Sequence, residues 1–174
     1  MYERNKRSEI DDLSRKILDI SLACHGEPSR KLFTFAESCT GGLVASAITG
    51  VPGASAVFSG SFVAYSNLAK IELLNVTPET IERHGAVSGE CAAEMAWGAL
   101  RKFDTRIAVS VTGIAGPDGG SEQKPVGTVW FAACHCDGRM RLKRGFYPNK
   151  NRRAVQLNAT HAALRMLILA LSEL

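Results

Sequence analysis

The residues best suited to chemistry begin with the segment AESCTGG at residues 36–42. The pattern predicts that a buried strand gives way there to a helix, whose first backbone N–H groups are unpaired and can approach an anion or a developing oxyanion. Gly41 and Gly42 leave room for that approach, and Ser38 or Thr40 could act as a nucleophile. Because helix N-caps favour serine and threonine, a purely capping role stays open for both hydroxyls.

A candidate base for such a hydroxyl is Lys70, the last residue of the segment YSNLAK at residues 65–70. Ser66 or Asn67 would cap a helix here, which places Lys70 one turn further on. A lysine can act as a general base when burial or a helix N-terminus lowers its pKa from about 10.4. Tyr65 offers a hydroxyl for proton relay. The alternative is that Lys70 is an ordinary surface charge, as most lysines on short helices are.

A long glycine-rich loop follows another predicted strand. Residues 113–127 hold five glycines and two prolines. Thr112 directly precedes this segment, and Gly113, Ala115 and Gly116 lie at its start. Loops of this length without secondary structure are usually functional or disordered, and successive N–H groups could form an anion-binding nest. No Gly-Lys-Ser/Thr follows, so the loop is not a Walker A phosphate site. A mobile surface loop is the alternative.

The other reactive side chains favour structural roles. No His/Cys/Asp/Glu cluster has metal-ligand spacing, so a metal site is not expected. The four histidines are isolated in the sequence, which leaves Ser38 without an obvious histidine base and makes Lys70 the better candidate. Glu37 is interpreted as a solvated or hydrogen-bonded carboxylate, and Cys39 as a small buried hydrophobe. The five cysteines are odd in number and lack a C-x-x-C pair, which argues against a disulfide framework.

Composition limits the class of protein. The 174 residues are 45% apolar and 22% charged, which is typical of one globular domain. No apolar run approaches the ~18–20 residues that span a bilayer, and the polar N-terminus is unlike a signal peptide. No membrane partner is therefore expected, and the cytoplasm is the expected location. The net charge of +4 is mild, and basic and aromatic residues are not interleaved, which argues against a nucleic-acid partner.

The elements that position these groups alternate between helix and strand. Residues 1–9 are expected to form a flexible charged tail before a domain that spans residues 10–174. The predicted order is helix 10–24 ended by residues 26–28, strand 31–36, helix 41–48, strand 57–65, helices 67–74, 78–84 and 88–102, strands 106–111, 128–136 and 139–146, and helix 151–171. Asp137-Gly138 predicts a hairpin between the last two strands. The predicted fold class is α/β, a single layered domain with a mixed β-sheet flanked by helices and a late β-hairpin.

Six ordered segments together resemble the CinA C-terminal domain family. They are AESCTGG, VPGASAVF, YSNLAK, GAVS, VTGIAGPDGG and KPVGTVW, all within residues 31–135. The resemblance implies a single α/β domain that often assembles as an oligomer, so a homo-oligomer is expected. Family members include nicotinamide-nucleotide amidohydrolases, which convert nicotinamide mononucleotide (NMN) to nicotinate mononucleotide and ammonia. Many members carry a second, N-terminal domain, and the short segment before the first motif makes the stand-alone form the expectation here.

The same resemblance implies roles for individual residues. Ser38 resembles the family's proposed nucleophile, with Tyr65 and Lys70 in its catalytic set. The substrate-binding residues implied are Thr40, Gly41, Gly42, Thr112, Gly113, Ala115, Gly116 and Arg152. The chain also departs from the family pattern, with Ser61 in place of a usual glycine, Lys150-Asn151 in place of Gly-Asp, and Gln156 in place of a common arginine. Arg152 is therefore the one retained candidate on the last helix.

The implied reaction is hydrolysis of a carboxamide on the pyridinium ring of a nucleotide, with no metal or organic cofactor. Amides are poor electrophiles and need an activated nucleophile and an oxyanion hole. Ser38 would attack with Lys70 as base, Tyr65 would pass a proton to the departing ammonia, and N–H groups near Gly41 and Gly42 would hold the oxyanion. Direct attack by water, with Ser38 only positioning the amide, stays open.

A function of another class is also open. The family takes its name from competence and DNA damage, so the chain could be a non-catalytic nucleotide-binding or regulatory module. Such a module would keep the glycine-rich loops but would not need Ser38 and Lys70 together. The joint presence of these two residues with Tyr65 favours the enzyme.

Overall fold

The computed structural model describes residues 1–24 and 31–174. The described helices are α1 (Tyr2–Cys24), α2 (Leu43–Thr49), α3 (Asn67–Leu74), α4 (Pro78–His84), α5 (Gly89–Phe103) and α6 (Arg152–Leu171), with a short 3₁₀ turn at Ala54–Ala56. The described strands are β1 (Phe33–Glu37), β2 (Phe58–Val63), β3 (Ile107–Gly113), β4 (Thr128–His135) and β5 (Met140–Phe146). The helix stop expected at residues 26–28 lies outside the described residues.

The strands form one mixed sheet in the order β2-β1-β3-β4-β5. The strand β1 runs parallel to β2 and to β3, whereas β3, β4 and β5 are successively antiparallel. The pairing of Cys134 with Met140 closes the β4–β5 hairpin around Asp137-Gly138. The predicted α/β class, mixed sheet and late hairpin are confirmed.

The sheet separates two apolar cores because neighbouring side chains on a strand point to opposite faces. One face presents large residues such as Phe35, Val109 and Phe131, which pack with α1, α2 and α6. The other face presents small residues such as Ala36 and Ala108, which pack against α5. The result is a three-layered domain with helices on both faces of the sheet.

The first helix begins earlier than the sequence predicts. Residues 2–9 were expected to lie in a flexible tail, but they form the first two turns of α1. The Tyr2 hydroxyl donates to Asn158 Oδ1 at 2.9 Å, and the Glu9 carboxylate lies 3.3 Å from His161 Nε2. Asn158 and His161 both lie on α6. These contacts join residues from opposite ends of the chain, so local charge did not reveal them.

The last helix is long and apolar. By length and composition alone, α6 could cross a membrane, which the sequence analysis did not anticipate, but 67% of its apolar window is buried inside the molecule. It packs against α1, β3 and β4. Its composition is therefore explained by its position as a core helix.

The ends of the three parallel strands bring distant segments together. Ser38 directly follows β1, Tyr65 follows β2 after one residue, and β3 ends at Gly113. Because β1 lies between β2 and β3, these carboxyl ends meet at one edge of the sheet. Ligands of open α/β sheets bind at this kind of edge.

Candidate active site

The centre of the site is a direct contact between Lys70 and Ser38. Lys70 Nζ donates to Ser38 Oγ at 3.0 Å and to the carbonyl oxygen of Ala64 at 3.0 Å. Lys70 is only 2% exposed and Ser38 6%. The predicted surface-charge alternative for Lys70 therefore does not hold. This separation is within the range required for proton transfer between a nucleophile and its base.

The environment of Lys70 favours its neutral form. Removal from water is the main cause that lowers the pKa of Lys70, and the nearby cysteines Cys91 and Cys39 act in the opposite direction. Ser66 fixes the helix that carries the lysine, because its hydroxyl accepts from the N–H of Ala69 at 3.0 Å at the start of α3. The hydrogen bonds of Lys70 within the described part of the chain go to a hydroxyl and to carbonyl oxygens.

Ser38 is not a helix cap. The N-cap of α2 is Gly42, and Gly41 and Gly42 have left-handed φ angles of 61° and 94°, so the helix starts only at Leu43. The N–H of Ser38 donates to the carbonyl of Val111 on β3 at 2.9 Å. The serine is thus fixed to the sheet, and its hydroxyl is directed to Lys70 rather than to the helix.

The N-terminus of α2 is instead satisfied by Glu37, which is fully buried. Its carboxylate oxygens accept five hydrogen bonds of 2.8–3.2 Å, from the hydroxyls of Thr40 and Ser61 and from the N–H groups of Gly42, Val44 and Ala45. A buried carboxylate needs such donors to remain charged. The expectation of a hydrogen-bonded Glu37 is correct, but its role in organising the turn after β1 was not predicted.

This arrangement corrects the expected oxyanion hole. The N–H of Gly42 donates to Glu37, and the N–H of Gly41 donates to the carbonyl of Ser38 at 3.1 Å. Thr40 is 1% exposed and its hydroxyl also donates to Glu37. The residues Thr40, Gly41 and Gly42 therefore shape the turn, and none of them lines the cavity that contains Ser38.

Arg152 connects two walls of that cavity. One guanidinium nitrogen donates to the Tyr65 hydroxyl at 2.7 Å, and the other donates to the carbonyl of Gly116 at 2.8 Å. Tyr65 is exposed, so its hydroxyl can reach a ligand as well as the arginine. Because Tyr65 accepts from Arg152, its own proton remains available for donation.

The glycine-rich loop forms another wall. The Thr112 hydroxyl donates to the carbonyl of Ala86 at 2.7 Å, and the N–H of Ile114 donates to Thr128 at 2.9 Å. Gly116 has a φ of 80°, and a Cβ there would lie 2.5 Å from a methyl group of Val126. The loop is therefore packed on itself, which argues against the alternative of a mobile surface loop.

One cavity of about 270 Å³ contains most of the predicted site. It brings together eight residues named from the sequence, which are Ser38, Tyr65, Lys70, Thr112, Gly113, Ala115, Gly116 and Arg152. Cys39, Asn67 and Asp118 also line it and were not predicted as site residues. The pKa of the Cys39 thiol is raised to about 12, chiefly by burial, so this cysteine stays protonated and does not rival Ser38 as a nucleophile.

Gln156 is a further residue that sequence reasoning did not place. Its side-chain nitrogen donates to the carbonyl of Cys39 at 3.0 Å, so α6 supports the turn that carries Ser38. The departure from the family's common arginine at this position was the available signal. Within residues 1–24 and 31–174, no group of three or more His, Cys, Asp or Glu side chains is placed to hold a metal ion.

Known proteins resemble this chain in sequence and in fold. The model of the CinA C-terminal domain matches residues 22–171. The nicotinamide-nucleotide amidohydrolase PncC of Escherichia coli K12 is 52% identical over 134 residues, which are 77% of this chain and 81% of that protein. A CinA-like protein of Fervidobacterium nodosum is 61% identical over 105 residues, which are 60% of this chain but only 26% of that protein. The competence/damage-inducible protein CihA of Agrobacterium tumefaciens has a crystal structure that superposes with a TM-score of 0.86 at 41% identity, covering 94% of this chain and 96% of that one.

Proposed function

The chain belongs to the CinA C-terminal domain family, and on that basis we propose that it hydrolyses the carboxamide of NMN to give nicotinate mononucleotide and ammonia. The identity to a relative named nicotinamide-nucleotide amidohydrolase, over 81% of that relative's length, supports this substrate. The chain spans about a quarter of the F. nodosum relative, so the activities of that longer protein are not carried over.

The contact between Lys70 Nζ and Ser38 Oγ carries the proposal. A serine hydroxyl becomes a useful nucleophile only when a base removes its proton. Lys70 is buried, and its lowered pKa makes the neutral, proton-accepting form accessible. A module that only binds nucleotides would gain nothing from a desolvated lysine against a serine, so this contact favours the enzyme over a regulatory module.

The reaction has two halves. Ser38 Oγ attacks the carboxamide carbon while Lys70 takes its proton. The tetrahedral intermediate then collapses as the C–N bond breaks, and the departing nitrogen takes the proton that Lys70 received from Ser38, directly or relayed through the Tyr65 hydroxyl, so that ammonia leaves and Lys70 is neutral again. Water next attacks the acyl ester and gives one proton to Lys70, which passes it to Ser38 Oγ as the C–O bond breaks. The carboxylic acid that forms releases the second proton to solvent and leaves as nicotinate mononucleotide. Direct attack by a water activated at Lys70 gives the same products without the ester.

Stabilisation of the oxyanion is assigned to cavity-lining groups. The N–H groups of Gly41 and Gly42 are engaged by the protein itself. Asn67 and Tyr65 both line the cavity and carry side-chain donors. We place the oxyanion against one or both of them, with Arg152 orienting the Tyr65 hydroxyl.

Ammonia release from NMN tests the function, with nicotinamide riboside and NAD as comparison substrates. Ser38→Ala should lower kcat by at least about 100-fold, the usual minimum for losing a nucleophile or its proton transfer. Ser55→Ala is the matched control, because Ser55 is exposed and remote from the cavity. Turnover by Ser38→Ala above about a tenth of the parent rate, a deficit below ~1.4 kcal/mol, would exclude Ser38 as the nucleophile.

The finer features of the proposal concern location and assembly. We place the enzyme in the cytoplasm as a homo-oligomer, without a nucleic-acid or membrane partner. Val63, Tyr65 and Leu68 are large, exposed side chains at the connection between β2 and α3. Apolar surface of this kind often lies at subunit interfaces. A monomeric mass by light scattering at micromolar concentration would contradict the assembly.

A further inference from the structure

Among the residues that the structure describes, three ordinarily charged side chains line the cavity, namely Lys70, Arg152 and Asp118. Asp118 is thus the one carboxylate among them. We propose that Asp118 determines specificity by pairing with the positively charged pyridinium ring of the substrate. This assignment rests on the proposed function, because it names the part of the nucleotide that the carboxylate recognises.

The loop presents Asp118 from a fixed position. A Cβ on Gly120 would lie 2.8 Å from the backbone nitrogen of Val126, so the two sides of the loop are in close contact. The N–H of Ser121 donates to the carbonyl of Lys124 at 2.9 Å. Arg152 holds the same loop through the carbonyl of Gly116, two residues before Asp118. An aspartate on such a packed loop pays little ordering entropy when it binds a ligand.

The carboxylate is also available to a ligand. Within the described residues Asp118 takes part in no hydrogen bond or ion pair. The guanidinium of Arg152 is instead occupied by the Tyr65 hydroxyl and the carbonyl of Gly116. Among the described residues, the cavity therefore offers one unpaired negative charge, which lies on the glycine-rich loop.

Charge complementarity points to the ring. A carboxamide placed at Ser38 brings its pyridinium ring close to Lys70, and a cationic ring there is disfavoured by any proton on the lysine. A carboxylate near the ring would offset this repulsion, and among the described residues Asp118 is the one that lines the cavity. The substrate phosphate, in contrast, is suited to Arg152, the cation at the exposed side of the cavity.

The test is a comparison of two ligands by isothermal titration calorimetry. NMN contains the pyridinium ring, the ribose and the phosphate, whereas ribose 5-phosphate lacks the ring. Asp118→Asn keeps the shape of the side chain and removes its charge, and Glu122→Gln removes a charge from the same loop outside the cavity. All titrations use a Ser38→Ala background, so that NMN is not consumed.

Asp118→Asn should bind NMN roughly fivefold more weakly, which corresponds to about 1 kcal/mol for a solvent-exposed ion pair. Its affinity for ribose 5-phosphate should not change, and Glu122→Gln should bind both ligands like the parent. The loss for NMN should shrink at high salt, since exposed charges are screened.

Other outcomes overturn the assignment. An equal loss for both ligands would place Asp118 at the ribose, and unchanged affinity for both would show that the carboxylate does not reach the ligand. Failure of the parent to bind NMN would refute the assignment and the proposed function together. Binding with the expected pattern but without ammonia release from the chain with Ser38 intact would refute deamidation alone.

Discussion

Replacing Lys70 by methionine removes the ammonium group but leaves a long apolar side chain in the same buried space. If Lys70 is the general base, this change removes the proton acceptor that lies 3.0 Å from Ser38 Oγ. Positioned acid–base groups contribute about 10²- to 10⁴-fold to rate, so kcat should fall by that factor, or ~2.7–5.4 kcal/mol. Lys31→Met is the matched control, because Lys31 is exposed and contacts the carbonyl of Ser55 instead.

The difference in folding stability between Lys70→Met and the parent should depend on pH. Burial lowers the pKa of Lys70 in the folded chain, so between that lowered pKa and about 10.4 the unfolded chain binds more protons at this group. The parent's stability therefore rises with pH in this window, and the cost of burying the lysine is fully present below it. The methionine variant has no charge to bury, so its free energy of unfolding should exceed that of the parent most at low pH. Across the window this difference should decrease, by about 1.4 kcal/mol for each pH unit by which the pKa of Lys70 is lowered.

Both measurements can refute the reasoning. Ammonia release should rise with pH in the parent along a limb below the pKa of free lysine, measured between about pH 6 and 10. Thermal unfolding over the same range gives the stability difference. Retention of more than about a tenth of kcat by Lys70→Met would exclude Lys70 as the base. A stability difference that does not change with pH would show that the pKa of Lys70 is not lowered.

Two further substitutions test the parts of the structure that support the site. Glu37→Gln replaces one acceptor oxygen by an NH₂ group that faces N–H and O–H donors, so chemical denaturation should show a free energy of unfolding lower by about 2–4 kcal/mol. Ser61→Gly removes one hydrogen bond to Glu37 and should lower the free energy of unfolding by about 1 kcal/mol or less. Equal effects of the two substitutions would contradict the central role of Glu37. Gly116→Ala should raise KM and lower the free energy of unfolding by about 1–3 kcal/mol, because the φ is 80° and the new methyl group would contact Val126. The control Gly138→Ala also has a positive φ, but its Cβ meets open space, so KM should not change. Parent-like kinetics in Gly116→Ala would show that the loop can move.

Ser38 and Lys70 could be chosen from the sequence as the candidate nucleophile and base because each lies in a short ordered motif. Ser38 and Lys70 are 32 residues apart, and the sequence places them on a strand-to-helix turn and on a short helix. The parallel pairing of β1 with β2 in the folded chain places both motifs at the same end of the sheet, and the sequence alone did not give this strand order. Their burial and the direct contact between them required the folded chain.

The oxyanion hole could not be predicted in the same way. A helix start next to two glycines has free N–H groups when only local sequence is considered. In the structure the carboxylate of Glu37 accepts hydrogen bonds from Thr40 and from the N–H of Gly42. Gly41 and Gly42, with their positive φ angles, turn the chain around this carboxylate. Whether Glu37 points to solvent or into the turn depends on the burial of β1 between β2 and β3, which no local pattern reports.

The last helix contacts all three segments that follow the parallel strands. Arg152 and Gln156 lie one turn apart on the same face of α6. Arg152 contacts the connection after β2 and the glycine-rich loop, whereas Gln156 contacts the turn after β1. One buried helix therefore ties together all three segments that follow the parallel strands. A glutamine at position 156 supplies a neutral donor to the Cys39 carbonyl, so α6 supports the turn next to Ser38 without adding a charge to it.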